Sequence, residues 1–228
     1  DSPDDAASSG GSSGPIPAHD YYVRLGQKLN TFVTAATAEG IAYKIDLRLR
    51  PSGRAGPLVV SLAGFRGYHE TSSELWERQA LIKLRFVAGS RELGRAAEQV
   101  AQRFAYGKGL TPEGVAEIDY LRTRMERELA KEDAAQFNLK KGRGGMVDIE
   151  FLTQMLQLKY GHLDPRLHLR GTLAALKALQ ETGILSQRDH RLLAENYFFL
   201  RQLDHRLRLE RGQSLDIIER EPTKLEGI

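Results

Sequence analysis

The 228-residue chain has no cysteine. That excludes disulfides and thiolate metal centres as sources of stability or chemistry. No apolar run is long enough to span a bilayer, and the first residues have neither the basic nor the apolar region of a secretion signal. These absences lead to an expectation of a soluble, cytoplasmic protein with no membrane partner. A dominant charge sign is also missing: 33 Lys and Arg stand against 30 Asp and Glu, a formal net charge of +3. So small an excess argues against a nucleic-acid partner, which would need a broad basic surface. The six histidines show no metal-binding spacing and are expected as surface or capping residues. No Ser-His-Asp arrangement can be traced. The chain also starts abruptly, without Met, and reads as cut from something longer.

What the sequence does have is an apolar fraction of 41 %, enough for a core, and cations bunched over 44–54, 140–143 and 201–211. Bunching points to local anion sites. Residues 1–16 are acidic, then rich in Ser and Gly, and read as a flexible loop or linker. Helical spacing of apolar residues predicts helices over 21–39, 65–69, 73–88, 91–106, 113–131, 146–160, 172–181 and 187–211. In the first, Val23, Leu25, Leu29, Phe32, Val33 and Ala36 form an apolar stripe, and Gly40 is a natural stop. Ser72 or Ser73 is a candidate cap for the 73–88 helix. Its stripe is Trp76, Ala80, Leu84 and Val87, with Arg78, Lys83 and Arg85 as solvated charges. Thr111-Pro112-Glu113 is a good helix start. Leu58–Leu62 reads as a short strand, 137–140 as a short extended piece and 214–228 as a tail. The fold class is α+β, mostly helical. A partial α/β domain over 17–70 is followed by a helical bundle over 71–228.

Two stretches carry candidate chemistry. In Tyr43-Lys-Ile-Asp-Leu-Arg-Leu-Arg50, strict alternation predicts a strand. Tyr43, Ile45, Leu47 and Leu49 share its apolar face. Lys44, Asp46, Arg48 and Arg50 share the other. One carboxylate among three cations suits a surface that holds a metal ion and a polyphosphate. It equally describes a wet, charge-paired face. Asp46 is the candidate metal ligand, or a base that orients a nucleophile. A single carboxylate is too few for a two-metal site, and Asp4 and Asp5 are further candidates only by nearness in sequence. The second stretch, Lys140-Lys-Gly-Arg-Gly-Gly145, leads into a helix whose N-terminus offers N–H groups to an anion. Lys140, Gly144 and Gly145 are the candidates there. It lacks the Gly-Lys-Ser/Thr ending of a P-loop. The alternative is a tight turn with acids favoured in the first helical turn. Asp148 and Glu150 do not share a helix face, so one is expected to cap the helix while the other reaches inward.

Taken together, Tyr43–Gly53, Gly56-Pro-Leu-Val59, Trp76-Glu-Arg-Gln-Ala-Leu81 and Gly144-Gly-Met-Val-Asp-Ile-Glu-Phe151 resemble the glutamine synthetase adenylyltransferase family, from about residue 18 to about residue 215. The resemblance implies a polymerase-β-like nucleotidyltransferase fold joined to a helical bundle. It implies AMP transfer from ATP to a tyrosine of glutamine synthetase, in the service of nitrogen assimilation. It makes Asp46 a metal-site and catalytic carboxylate for Mg²⁺, with Arg48 beside it. Arg50, Lys140, Gly144 and Gly145 become nucleotide contacts. The family's earlier Asp-x-Asp motif is absent from this sequence, so the chain is expected to be inactive alone. Arg50-Pro-Ser-Gly53, Arg122, Met125 and Phe137-Asn-Leu-Lys140 favour the adenylylating, C-terminal copy. The adenylyl-removing copy is the alternative. A helical docking module for glutamine synthetase is another, with a PII-type signalling protein as a further partner.

Overall fold

The computed structural model describes residues 7–41, 43–133, 135–211 and 216–219. The described residues are mostly helical, with two small two-stranded sheets. They divide into two compact units: one runs to Ala80 and takes in Arg85–Val100, the other comprises Leu81–Leu84 and the chain from Ala101.

In the first unit, α1 spans Ala18–Thr34. It is shorter than the predicted 21–39 helix at its C-terminal end. The remaining residues instead make a hairpin, β1 (Ala36–Thr37) against β2 (Gly40–Ile41), with Gly40 at φ 101°. The turn needs that left-handed conformation, and Gly adopts it without a Cβ clash. The apolar stripe of α1 has no buried residue, and Phe32 is 82 % exposed.

The strand predicted for 43–50 does not form. The segment has no regular structure and no ladder partner among the described residues, and Tyr43 and Leu49 are exposed. Alternation fixes which side chains share a face; it does not supply the second strand that makes the hydrogen bonds. Leu58–Leu62 likewise makes no strand: it leads into α2 (Leu62–Thr71), capped by Ser61, whose hydroxyl accepts the Gly64 N–H at 3.0 Å.

Next, α3 covers only Leu75–Leu81 of the predicted 73–88 helix. Neither Ser72 nor Ser73 caps it. Glu77 does so by reaching back to the Glu74 N–H at 2.8 Å, one half of a capping box. Beyond Leu81, side chains far along the sequence take up the backbone groups. Arg170 Nε donates to Leu84 O at 2.8 Å, and Glu98 accepts the Phe86 N–H at 3.0 Å. With those groups spoken for, the helix stops. Trp76 and Val87, assigned to a core stripe by the helical pattern, are 41 % and 74 % exposed.

From Arg91 the helices follow the sequence pattern closely. They are α4 (Arg91–Tyr106) and α5 (Pro112–Leu129), then α6 (Met146–Tyr160), α7 (Thr172–Glu181) and α8 (Gln187–Arg211). The start of α5 is the predicted one: Thr111 Oγ1 accepts the Gly114 N–H, and Pro112 sits in the first turn. Between α5 and α6, β3 (Gln136–Asn138) pairs antiparallel with β4 (Ile217–Glu219). Most of the predicted 214–228 tail lies outside the described residues.

The core of the second unit is Leu139, Met146, Ile149, Leu176, Tyr197, Leu200 and Leu207, contributed by β3's end, α6, α7 and α8. A smaller cluster of Leu167, Ala178 and Leu179 seats the α6–α7 connection. Gln157 holds that connection from within: its buried amide donates to Leu167 O at 2.6 Å and Leu169 O at 2.8 Å. Two histidines depart from the surface expectation. His69 is buried, and half-buried His168 stacks on Tyr106 at 3.8 Å.

Candidate functional site

The first candidate site is the segment from Asp46 to Pro57, in the first unit. Asp46 and Arg48, two apart in the sequence, are bonded to each other. Arg48 Nε lies 2.9 Å from each Asp46 oxygen, and Nη2 lies 2.5 Å from Oδ2. The Arg48 backbone N–H adds a bond to Oδ1 at 2.9 Å. These bonds, the side-chain ones foremost, hold the Asp46 carboxyl down at about 2. Both side chains are more than half exposed.

Arg50 faces inward along the chain instead. Its guanidinium donates to Leu47 O, to Pro57 O at 3.1 Å and to Gly56 O at 3.2 Å. It thereby ties the start of the loop to its end. The turn between them closes with Gly53 N–H to Arg50 O at 2.8 Å and Gly56 N–H to Ser52 O at 3.2 Å. A Cβ on Gly56 would sit 2.0 Å from Pro51 O, so no other residue fits this path. Downstream, Tyr68 donates to Glu77 at 2.8 Å, and the Ser52 backbone reaches the same phenol oxygen. Burial, then Glu77, raises the Tyr68 pKa.

The second candidate, 138–148, lies in the other unit. Every backbone N–H from Lys140 to Asp148 already has an acceptor. Asn138 Oδ1 accepts from Lys140 and Lys141, and Asn138 O from Gly142. Glu132 accepts from Arg143, and Asp148 from Gly144 at 2.6 Å. The N–H groups of 145–148 bond to backbone carbonyls of 139–145. The Lys140 ammonium is paired with Asp216 and lies 3.8 Å from Asp204. The two acids take different partners: Asp148, in the first turn of α6, accepts from the Gly144 N–H just before the helix, while Glu150 accepts from the Tyr197 hydroxyl at 2.6 Å.

Arg122 locks this turn, and spacing alone did not mark it for that role. It is buried on α5. Its Nη2 donates to Lys141 O and Gly142 O at 3.0 Å each, and its Nε lies 2.5 Å from Asp148 Oδ1. The Nε contact is off the N–H direction, so it is an ion pair rather than a hydrogen bond. The signal available in the sequence was position: Arg122 stands four residues after buried Ile118, on the apolar face of its helix.

The structure thus brings Asp46, Arg48 and Arg50 into one loop, and Lys140, Gly144 and Gly145 into one turn. Asp4 and Asp5 lie outside the described residues. Among the described residues, no group of three His, Asp or Glu side chains is placed to hold a metal ion. Asp46 stands alone in its loop with both oxygens engaged by Arg48, so the described residues do not by themselves fit a Mg²⁺ site.

The family model for glutamate–ammonia ligase adenylyltransferase matches residues 2–100, and that for GlnD PII-uridylyltransferase matches residues 116–225. A bifunctional glutamine synthetase adenylyltransferase/adenylyl-removing enzyme from Xanthomonas oryzae is 36 % identical over 93 % of this chain and 22 % of its own length. The enzymes of the same description from Thioalkalivibrio sulfidiphilus and Mannheimia haemolytica are 36 % and 34 % identical. They cover 87 % and 93 % of this chain, and 20 % and 22 % of their own lengths. The chain belongs to the glutamine synthetase adenylyltransferase family. It spans about a fifth of the length of these relatives. The passage from the first family model to the second falls near Val100, where the two compact units also divide.

Proposed function

We propose that this chain forms part of a cytoplasmic enzyme that transfers AMP from ATP to a tyrosine of glutamine synthetase, and that it comes from the adenylylating unit. The reading places residues 17–70 in a polymerase-β-like nucleotidyltransferase domain and residues 71–228 in the helical bundle that follows. The observation that carries it is the exposed Asp46–Arg48 pair on a loop braced by Arg50, within the stretch matched by the adenylyltransferase model.

In the transfer, the phenol gives up its proton to solvent, its oxygen bonds to the α-phosphorus, the bond from the α-phosphorus to the α–β bridging oxygen breaks, and pyrophosphate leaves. Asp46, held ionised at about 2, is a poor proton acceptor near neutrality. Its part is therefore electrostatic: it fixes Arg48, whose guanidinium faces solvent and matches phosphate oxygens. Arg50 shapes the loop through its three carbonyl contacts. Lys140, Gly144 and Gly145 act in this reading by setting the start of α6 rather than by gripping the nucleotide with backbone N–H groups, because those groups have acceptors. A Mg²⁺ site would need carboxylates beyond Asp46, so the chain alone is expected to be inactive, and no step is assigned to the metal.

The test is a paired labelling assay. This chain, and the same chain extended upstream, are each mixed with glutamine synthetase, Mg²⁺ and α-labelled ATP. Label transferred only by the extended form supports the reading. Transfer by the short chain removes the argument about missing carboxylates. No transfer by either, with phosphate-dependent loss of label from pre-modified target, moves the chain to the adenylyl-removing unit. A second reading has its own observation: Leu192, Phe198 and Phe199 on α8 are each more than half exposed, as a docking face would be. It predicts that the chain binds glutamine synthetase, or a PII-type signalling protein, without ATP.

A further inference from the structure

The loop that carries Asp46 and Arg48 closes on itself through the Arg50 guanidinium and the turn that follows. One backbone feature is not accounted for by those bonds. Ser52 stands at φ 58°, in the left-handed region, although it has a Cβ. A non-glycine residue there is strained, and persists where its surroundings hold it. The turn from Arg50 to Gly53 is closed by the Gly53 N–H on Arg50 O. Pro51 takes its second position and Ser52 its third, the position at which a type II turn ordinarily takes glycine.

A group outside the turn reaches Ser52. The Tyr68 hydroxyl, on α2, accepts a hydrogen bond from the Ser52 backbone. That hydroxyl is itself aimed. It donates to Glu77 Oε1 at 2.8 Å and lies 3.0 Å from Oε2. Glu77, on α3, is buried and also accepts the Glu74 N–H at 2.8 Å. A phenol has one proton to give. With that proton committed to Glu77, its lone pairs are left to accept from Ser52. The relay from Ser52 through Tyr68 to Glu77 therefore has a fixed direction, and it fastens the turn to two helices. Burial and then Glu77 raise the Tyr68 pKa, and the Ser52 bond offsets them only in part, so the phenol keeps its proton near neutrality.

We propose that Tyr68 is a positioning residue for adenylyl transfer: oriented by Glu77, it holds Ser52 in its left-handed turn and so keeps Arg48 in place for the ATP phosphates. That role rests on the assignment of the Asp46–Arg48 loop to the transfer site. With the brace present, the loop is ordered before ATP arrives. Without it, ATP must order the loop as it binds, which weakens affinity for ATP and leaves that for the protein target alone.

The test is Tyr68→Phe, which keeps the ring and removes the hydroxyl. In this chain, amide hydrogen exchange at Ser52 should quicken about tenfold, with the circular dichroism of the helices unchanged. In the longer enzyme, KM for ATP should rise about three- to tenfold, as loss of one net hydrogen bond would give, with KM for glutamine synthetase unchanged. Ser52→Gly in the Tyr68→Phe background should recover part of the loss, because glycine takes the left-handed turn without strain. Unchanged exchange at Ser52 would overturn the brace. An equal rise in both KM values, with no recovery from Ser52→Gly, would mark a general loss of structure and overturn the positioning role. Quickened exchange with KM for ATP unchanged, while Asp46→Asn abolishes transfer, would overturn that role and leave the transfer-site assignment standing. Normal transfer by Asp46→Asn would remove the assignment, and the role of Tyr68 with it.

Discussion

Replacing Arg122 with Met keeps the length of the side chain and removes everything polar at its end. In the wild-type protein that end donates to two carbonyls, Lys141 O and Gly142 O, and lies against the Asp148 carboxylate, with Glu126 3.7 Å away. Only 8 % of the side chain is exposed. Breaking a buried pair by deleting one partner costs about 3–5 kcal/mol, because the remaining charge is left without compensation. Asp148 is one-third exposed and keeps its bond from the Gly144 N–H, so the lower end, about 3 kcal/mol, is the figure to expect. For a unit of this size, each kcal/mol moves Tm by about 3–5 °C, giving a fall of roughly 10 °C. Thermal and urea unfolding followed by circular dichroism would measure it. Asp148→Asn in the Arg122→Met background should then cost little more, since the two side chains act as one unit. A fall in Tm of less than about 3 °C, or full additivity of the two substitutions, would refute the claim that Arg122 and Asp148 lock the turn.

Three further outcomes follow from the geometry. Gly56→Ala places a methyl against Pro51 O, so the loop must open; about 1–3 kcal/mol of strain should appear as a loss of transfer in the longer enzyme, with the unfolding of the helical unit unchanged. Gln157→Leu leaves Leu167 O and Leu169 O without their donor, and should cost about 2 kcal/mol in urea unfolding. Burial pushes the Tyr106 phenol up to about 12, whereas an unfolded tyrosine ionises near pH 10. The unfolded chain therefore loses its proton first, and stability should fall as pH rises from about 10 to about 12; Tyr106→Phe should remove that part of the fall.

Helices were legible where their bonds are local. From Arg91 onward the 3.6-residue spacing placed five helices, α4 to α8, at or close to the residues where they lie, and Thr111-Pro112 marked the start of α5 correctly. The misreadings have a common cause in long-range partners. Tyr43–Arg50 alternates as a strand should, but a strand is made by its neighbour, and none is present among the described residues. Helix spacing continues past Leu81, yet the helix stops, because Arg170 and Glu98 claim the backbone from 86 and 12 residues away. The candidate loop was legible in part. The pairing of Asp46 with Arg48 follows from their spacing, but the inward turn of Arg50 depends on Gly56 and Pro57, and spacing does not reveal it. Lys83 reads as a solvated charge on a helix; only the fold brings it beside Arg170 and Thr172.

The central claim is that the Asp46–Arg48 pair belongs to an adenylyl-transfer site. The most direct measurement is transfer of α-labelled AMP to glutamine synthetase by the longer enzyme carrying this sequence, with and without Asp46→Asn. The account predicts a loss of about a hundredfold or more with the melting temperature unchanged, since the pair is exposed and buries nothing. Near-normal transfer by Asp46→Asn would remove Asp46 from the site and contradict the account.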